Sequence, residues 1–130
     1  MGKQFTSINA KEGRAPISSG INLFKTEFAD EILYDNYTKG VSFLTLGDRV
    51  KLTYNGLLAK SGAQQVYAVV GFGDNQSWND IRTYPMNNTN QNMFELSIPV
   101  EENQRVNVAF KDNAENWDNN SGKNYSFYVH

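Results

Sequence analysis

Three carboxylates, Asp112, Glu115 and Asp118, fall in one short stretch, close enough for a pair to protonate and attack a glycosidic bond. That chemistry needs one carboxyl group kept protonated by an apolar pocket while its partner stays ionised. The surrounding Lys111-Asp112-Asn113-Ala114-Glu115-Asn116-Trp117-Asp118-Asn119-Asn120 is polar apart from Trp117, so these acids read as solvated turn residues rather than a catalytic pair. The stretch also departs from a calcium loop, because Trp117 stands where that loop needs glycine and the closing glutamate is missing. His130 is the one histidine and the last residue printed, where strand-end fraying works against general-base geometry. Cysteine is absent, which removes thiol nucleophiles and cysteine-held zinc. Gly71-Phe72-Gly73 lacks the third glycine and following helix of a phosphate cradle. No catalytic residue, metal ligand or cofactor is assigned, and the chain is expected not to be an enzyme.

Binding chemistry is better represented. Trp78 lies in Gly73-Asp74-Asn75-Gln76-Ser77-Trp78-Asn79-Asp80 and Trp117 in the acidic stretch above, both without apolar neighbours in sequence to share burial. An indole covers the C–H face of a pyranose, and nearby amides and carboxylates pair with its hydroxyl rim. Covering ~50 Å² of apolar surface at ~25 cal/mol/Å² contributes about 1 kcal/mol per ring. Two rings and a few hydrogen bonds, less the cost of association, give a Kd of roughly 10 µM to 1 mM. The competing reading makes both tryptophans loop anchors in a protein-interaction or spacer module that binds no sugar.

The elements that must position these rings are strands. Residues 104–111 alternate Val106, Val108 and Phe110 with Arg105, Asn107 and Ala109, and residues 48–54 and 92–98 alternate in the same way. Residues 65–71 are largely apolar, as a central strand would be, and residues 124–129 set Tyr125, Phe127 and Val129 on one side. Further strands are expected over residues 22–28, 31–36 and 41–46, with 25–37 as the one stretch where a helix competes. Many short strands in 130 residues predict an all-β fold, two antiparallel sheets packed as a sandwich over residues 21–130, after a loose arm over residues 1–20. The formal charge of −2, spread evenly, offers no field for nucleic acid or membrane surfaces. No signal-peptide core opens the sequence, so the expected location is cytoplasmic if the chain is complete and extracellular if it is excised from a secreted enzyme.

Taken together, Tyr54-Asn55-Gly56-Leu57-Leu58, Ser61-Gly62-Ala63-Gln64-Gln65-Val66-Tyr67, Gly71-Phe72-Gly73-Asp74-Asn75, Phe110-Lys111-Asp112 and Trp117-Asp118-Asn119-Asn120 with Asn124-Tyr125 resemble family 25 starch-binding modules. The resemblance covers about residues 48–129 and extends to the modules of starch synthases. It implies an immunoglobulin-like sandwich, often appended to amylase-type enzymes, that binds α-1,4-linked glucans such as starch, glycogen or malto-oligosaccharides without catalysis. It also implies that Trp78 and Trp117 form an aromatic platform, with Asp118, Asn119, Asn120 and Tyr125 in the accompanying polar segment, where turn formation is the alternative role. Val69 stands where family members commonly carry a platform histidine.

Overall fold

The computed structural model describes residues 31–90 and 92–130; the expected arm over residues 1–20 and strand over residues 22–28 lie outside them. In chain order the elements are β1 (Glu31–Asn36), β2 (Val41–Leu46), β3 (Arg49–Tyr54), α1 (Leu57–Lys60), β4 (Val66–Phe72), β5 (Asn79–Pro85), β6 (Asn87–Asn90), β7 (Met93–Pro99), β8 (Gln104–Asp112), β9 (Trp117–Asp118) and β10 (Tyr125–Val129). One antiparallel sheet has the order β1-β2-β3-β7-β6 and the other β10-β8-β4-β5, with β9 added to β8. The fold is nearly all β and sandwich-like, as the alternation predicts.

Register explains why the two sheets meet. Val50, Leu52 and Tyr54 of β3 stand directly opposite Ile98, Leu96 and Phe94 of β7, which makes one face of the first sheet continuously apolar. On β8 and β10, Val108 and Val106 pair with Tyr125 and Phe127 to do the same for the second sheet. Side chains from both faces merge into one buried cluster. Ring contacts cross the gap: Tyr54 stacks on Phe110 with centroids 4.1 Å apart, and Phe43 meets Phe127 at 4.7 Å. Truncating a buried Phe of this kind to Ala costs about 3–5 kcal/mol.

Three elements depart from the expected pattern. Residues 57–60 form a single helical turn that buries Leu58 and Ala59, too short to show an i, i+4 stripe in sequence. The strands β5 and β6 were not expected either. On β5, which lies at a sheet edge, Tyr84 packs against the core while Asn79 to Thr83 are exposed, so no apolar alternation marks the strand. Residues 31–36 are a strand and not the competing helix.

Candidate functional site

On β4, Val66, Ala68 and Val70 belong to the core, so Tyr67, Val69 and Gly71 point to the other face of the second sheet. On β8, Val106, Val108 and Phe110 point inward, leaving Arg105, Asn107, Ala109 and Lys111 on that outer face. Pairing arranges these residues in rows: Trp117 beside Lys111 beside Tyr67, then Ala109 beside Val69 beside Thr83, then Asn107 beside Gly71. Val69 is 9% exposed and Ala109 4%, yet neither is part of the core cluster. The outer face therefore carries a small apolar floor of its own, between larger side chains.

Trp78 closes one end of that floor. A methyl group built at Gly71 would lie 2.6 Å from Trp78 Cε3 and 2.7 Å from Trp78 Cβ, so the indole rests on bare backbone that any side chain would displace. The register of β5 shifts opposite Gly71, with Asp80 at φ 53°, and this bulge follows directly on Trp78. The indole Nε1–H donates to the Asn75 carbonyl at 2.8 Å and to Asn75 Oδ1 at 3.2 Å. Asn75 is itself tied to the loop before β10, donating to the Lys123 carbonyl at 2.9 Å and accepting from Asn124 Nδ2 at 3.2 Å. Trp78 is thus partly covered and fixed in orientation.

Trp117 stands at the opposite corner and is 48% exposed. Its position follows from the turn before it. Asp112 Oδ1 accepts from the backbone N–H of Ala114 and of Asn116, each at 2.9 Å, and Oδ2 accepts from Asn116 Nδ2 at 3.0 Å. The Asn116 side chain and backbone bonds hold the Asp112 carboxyl below its usual range, the reverse of what a general acid requires. The turn brings Trp117 opposite Lys111, whose Nζ lies 5.5 Å from the indole centroid and 3.9 Å from Glu115 Oε2. From Trp117 to Gly71, on which the Trp78 indole rests, is four residues along the strands and two strand spacings across, about 17 Å at backbone level with ~3.4 Å per residue and ~4.8 Å per strand.

Beneath Trp117, the next side chain points into the sandwich. Asp118 is buried and accepts from Tyr54 Oη at 2.7 Å and Tyr125 Oη at 2.9 Å, while Tyr54 Oη accepts from the Leu58 N–H at 3.0 Å. Burial first, then the bond to Asp118, pushes the Tyr54 hydroxyl far above its ordinary pKa; burial and the Asp118 charge do the same for Tyr125. One carboxylate thereby ties both sheets and α1 to the strand that carries Trp117.

The residues singled out in the sequence fall into two groups. Trp78, Trp117 and Val69 share the outer face. Asp118 and Tyr125, expected in the polar segment accompanying the platform, are both buried, and their polar atoms serve each other and Tyr54. Asn119 and Asn120 build the following turn, in which Asn119 Oδ1 accepts from the Gly122 N–H at 3.0 Å and Asn120 Nδ2 donates to the Asn124 carbonyl at 3.1 Å. Tyr67, Ala109 and the exposed Ile81 of β5 were not anticipated. The alternation of 104–111 placed Ala109 opposite the apolar row, but which strand lay beside it was not legible without pairing. Among the described residues no group of three or more His, Cys, Asp or Glu side chains could hold a metal ion.

Residues 50–110 match the family model of a starch/carbohydrate-binding module, family 53. The matched stretch is just under half of the chain, contains Val69, Trp78 and Ala109, and stops short of Trp117. It points to carbohydrate as the ligand class and to a non-catalytic role for the matched stretch. The family number differs from the 25 that the sequence motifs suggested. No curated protein and no solved structure matches the chain.

Proposed function

We propose that the chain binds α-1,4-linked glucans, as in starch, glycogen or malto-oligosaccharides, on the outer face of the β10-β8-β4-β5 sheet, without catalysing a reaction on them. The observation that carries this reading is the apolar floor of Val69 and Ala109, separate from the core and bounded at opposite corners by Trp117 and Trp78. Sugar rings resting on the indoles would keep their hydroxyl edges toward Lys111, Tyr67 and Thr83, which supply donors and acceptors along the rows. A corner-to-corner span of about 17 Å suits a chain of several sugars and not a monosaccharide. The family match supports the carbohydrate class; the curvature set by two rings at opposite corners of a twisted sheet favours a helical α-glucan over a flat polymer. Asp118 and Tyr125 act beneath the site as positioning residues, and Asn119 and Asn120 as turn formers. Attachment to an amylase-type enzyme is the natural setting for such a module.

Isothermal titration with maltoheptaose, with cellohexaose as the control, tests the proposal. A Kd in the range of roughly 10 µM to 1 mM for maltoheptaose and none for cellohexaose is expected. No heat with either sugar, and free migration through a starch-containing gel, would favour the protein-interaction or spacer reading. The capture of the Trp78 N–H by Asn75 is what a loop anchor would also show.

A further inference from the structure

Beyond Trp78 the outer face continues into a cleft lined by Gly73, Asp74 and Asn75 on one side and by Arg105 and Ser126 on the other. A chain of hydrogen bonds fixes its walls: Arg105 Nη1 donates to Ser126 Oγ at 3.0 Å, Ser126 Oγ to Asn107 Oδ1 at 2.9 Å, and Asn107 Nδ2 to the Gly73 carbonyl at 3.0 Å. Arg105 is exposed, forms no ion pair among the described residues, and has one of its five N–H donors engaged by Ser126. Tyr128 pairs with Arg105 across β10, is 39% exposed, and lies with its ring centroid 6.0 Å from the guanidinium carbon. Arg105 and Tyr128 stand two residues past the Asn107 row, about 7 Å farther along the strands.

We infer that this cleft and Tyr128 form an extension subsite, which takes sugars of an α-glucan that runs on past Trp78; the inference rests on the reading of the outer face given above. Tyr128 supplies a ring for the sugar's C–H face, the Arg105 fork supplies donors for vicinal hydroxyls, and Asp74 on the facing rim supplies an acceptor. The ligand is a neutral sugar and not a phosphorylated one, since an anionic substituent bound by Arg105 would also meet the Asp74 carboxylate. The site therefore selects for chain length: glucans long enough to pass Trp78 gain a third ring contact.

The test is titration of the full chain with maltotriose, maltopentaose, maltoheptaose and maltodecaose, for the wild type and for Tyr128→Ala, Tyr128→Phe and Arg105→Gln. The wild type should bind maltodecaose about fivefold more tightly than maltopentaose, beyond the gain per added sugar between the shorter chains, as one further ring contact provides. Tyr128→Ala should lose that gain and leave maltotriose binding unchanged, Tyr128→Phe should keep it, and Arg105→Gln should lose part of it. Equal affinities of wild type and Tyr128→Ala for every length, or an equal loss at every length, would overturn the extension subsite while leaving the tryptophan face standing. Absence of binding by the wild type to all four sugars would overturn the function proposed for the face and the subsite with it.

Discussion

Replacing Gly71 with alanine should weaken glucan binding without altering any atom that touches the sugar. The added methyl would lie 2.6 Å from Trp78 Cε3, 2.7 Å from its Cβ and 3.0 Å from its Cδ2. Carbon contacts settle at ~3.5–4.0 Å, so the indole must retreat by about 1 Å. Because the Trp78 Cβ is itself too close, rotation about the side-chain bonds does not relieve the clash, and the backbone before the bulge has to move. Overpacking of this kind costs about 1–3 kcal/mol of stability, and losing the Trp78 to Asn75 bond, 2.8 Å long in the native fold, adds about 1 kcal/mol. Displacing a central aromatic contact should raise the Kd for maltoheptaose at least roughly fivefold. The assay is a double-mutant cycle by isothermal titration, combining Gly71→Ala with Trp78→Ala under conditions where urea unfolding shows each variant folded. Gly71→Ala should have no further effect on binding once the indole is gone. Wild-type affinity in the single variant, or the same loss in both backgrounds, would refute the coupling.

Trp117→Ala should weaken maltoheptaose binding by about 1 to 3 kcal/mol and shift the urea midpoint only slightly, because the residue is about half exposed; a large midpoint shift would mark it as an anchor. Asp118→Ala should destabilise the fold by about 2–5 kcal/mol, since two buried phenols lose their acceptor, and a loss under ~1 kcal/mol in urea unfolding would show that the node matters little. The raised Tyr54 and Tyr125 pKa values favour the folded state fully below their unfolded value of 10.0, and that stability is lost as pH rises above it. Unfolding midpoints should therefore fall once pH passes about 10, and a Tyr54→Phe, Tyr125→Phe variant should show a flatter alkaline limb in the same titration. Val69→His adds a flat ring and a donor to the floor between the tryptophans, and tighter binding of maltoheptaose is expected; unchanged affinity would speak against sugar passing over that position.

Strands whose apolar residues alternate were readable from the chain alone. Val106, Val108 and Phe110 mark β8, and Tyr125, Phe127 and Val129 mark β10, because one face of each is buried and the other wet. Where burial does not alternate the signal fails: β5 lies at an edge and is mostly exposed, and β6 is Asn87-Asn88-Thr89-Asn90, with no apolar residue at all. At the site, composition drew attention to Trp78 and Trp117 but not to how each is held. The approach of Trp78 to Gly71 depends on how the hairpin of β4 and β5 closes, and the meeting of Asp118 with Tyr54 joins positions 64 apart. Asp118 looked like a surface acid because its neighbours in sequence are polar, whereas the alternation of β9 turns it inward as Trp117 turns out. Tyr67 and Ala109 join the site only through strand pairing, which sequence pattern alone does not specify.

Amide and indole N–H chemical-shift mapping during titration with maltoheptaose tests the central claim most directly. Shifts should concentrate on the indoles of Trp78 and Trp117 and on the amides of Tyr67, Val69, Ala109 and Lys111. Shifts confined to the β1-β2-β3-β7-β6 sheet, or a spectrum unchanged at saturating sugar, would contradict it.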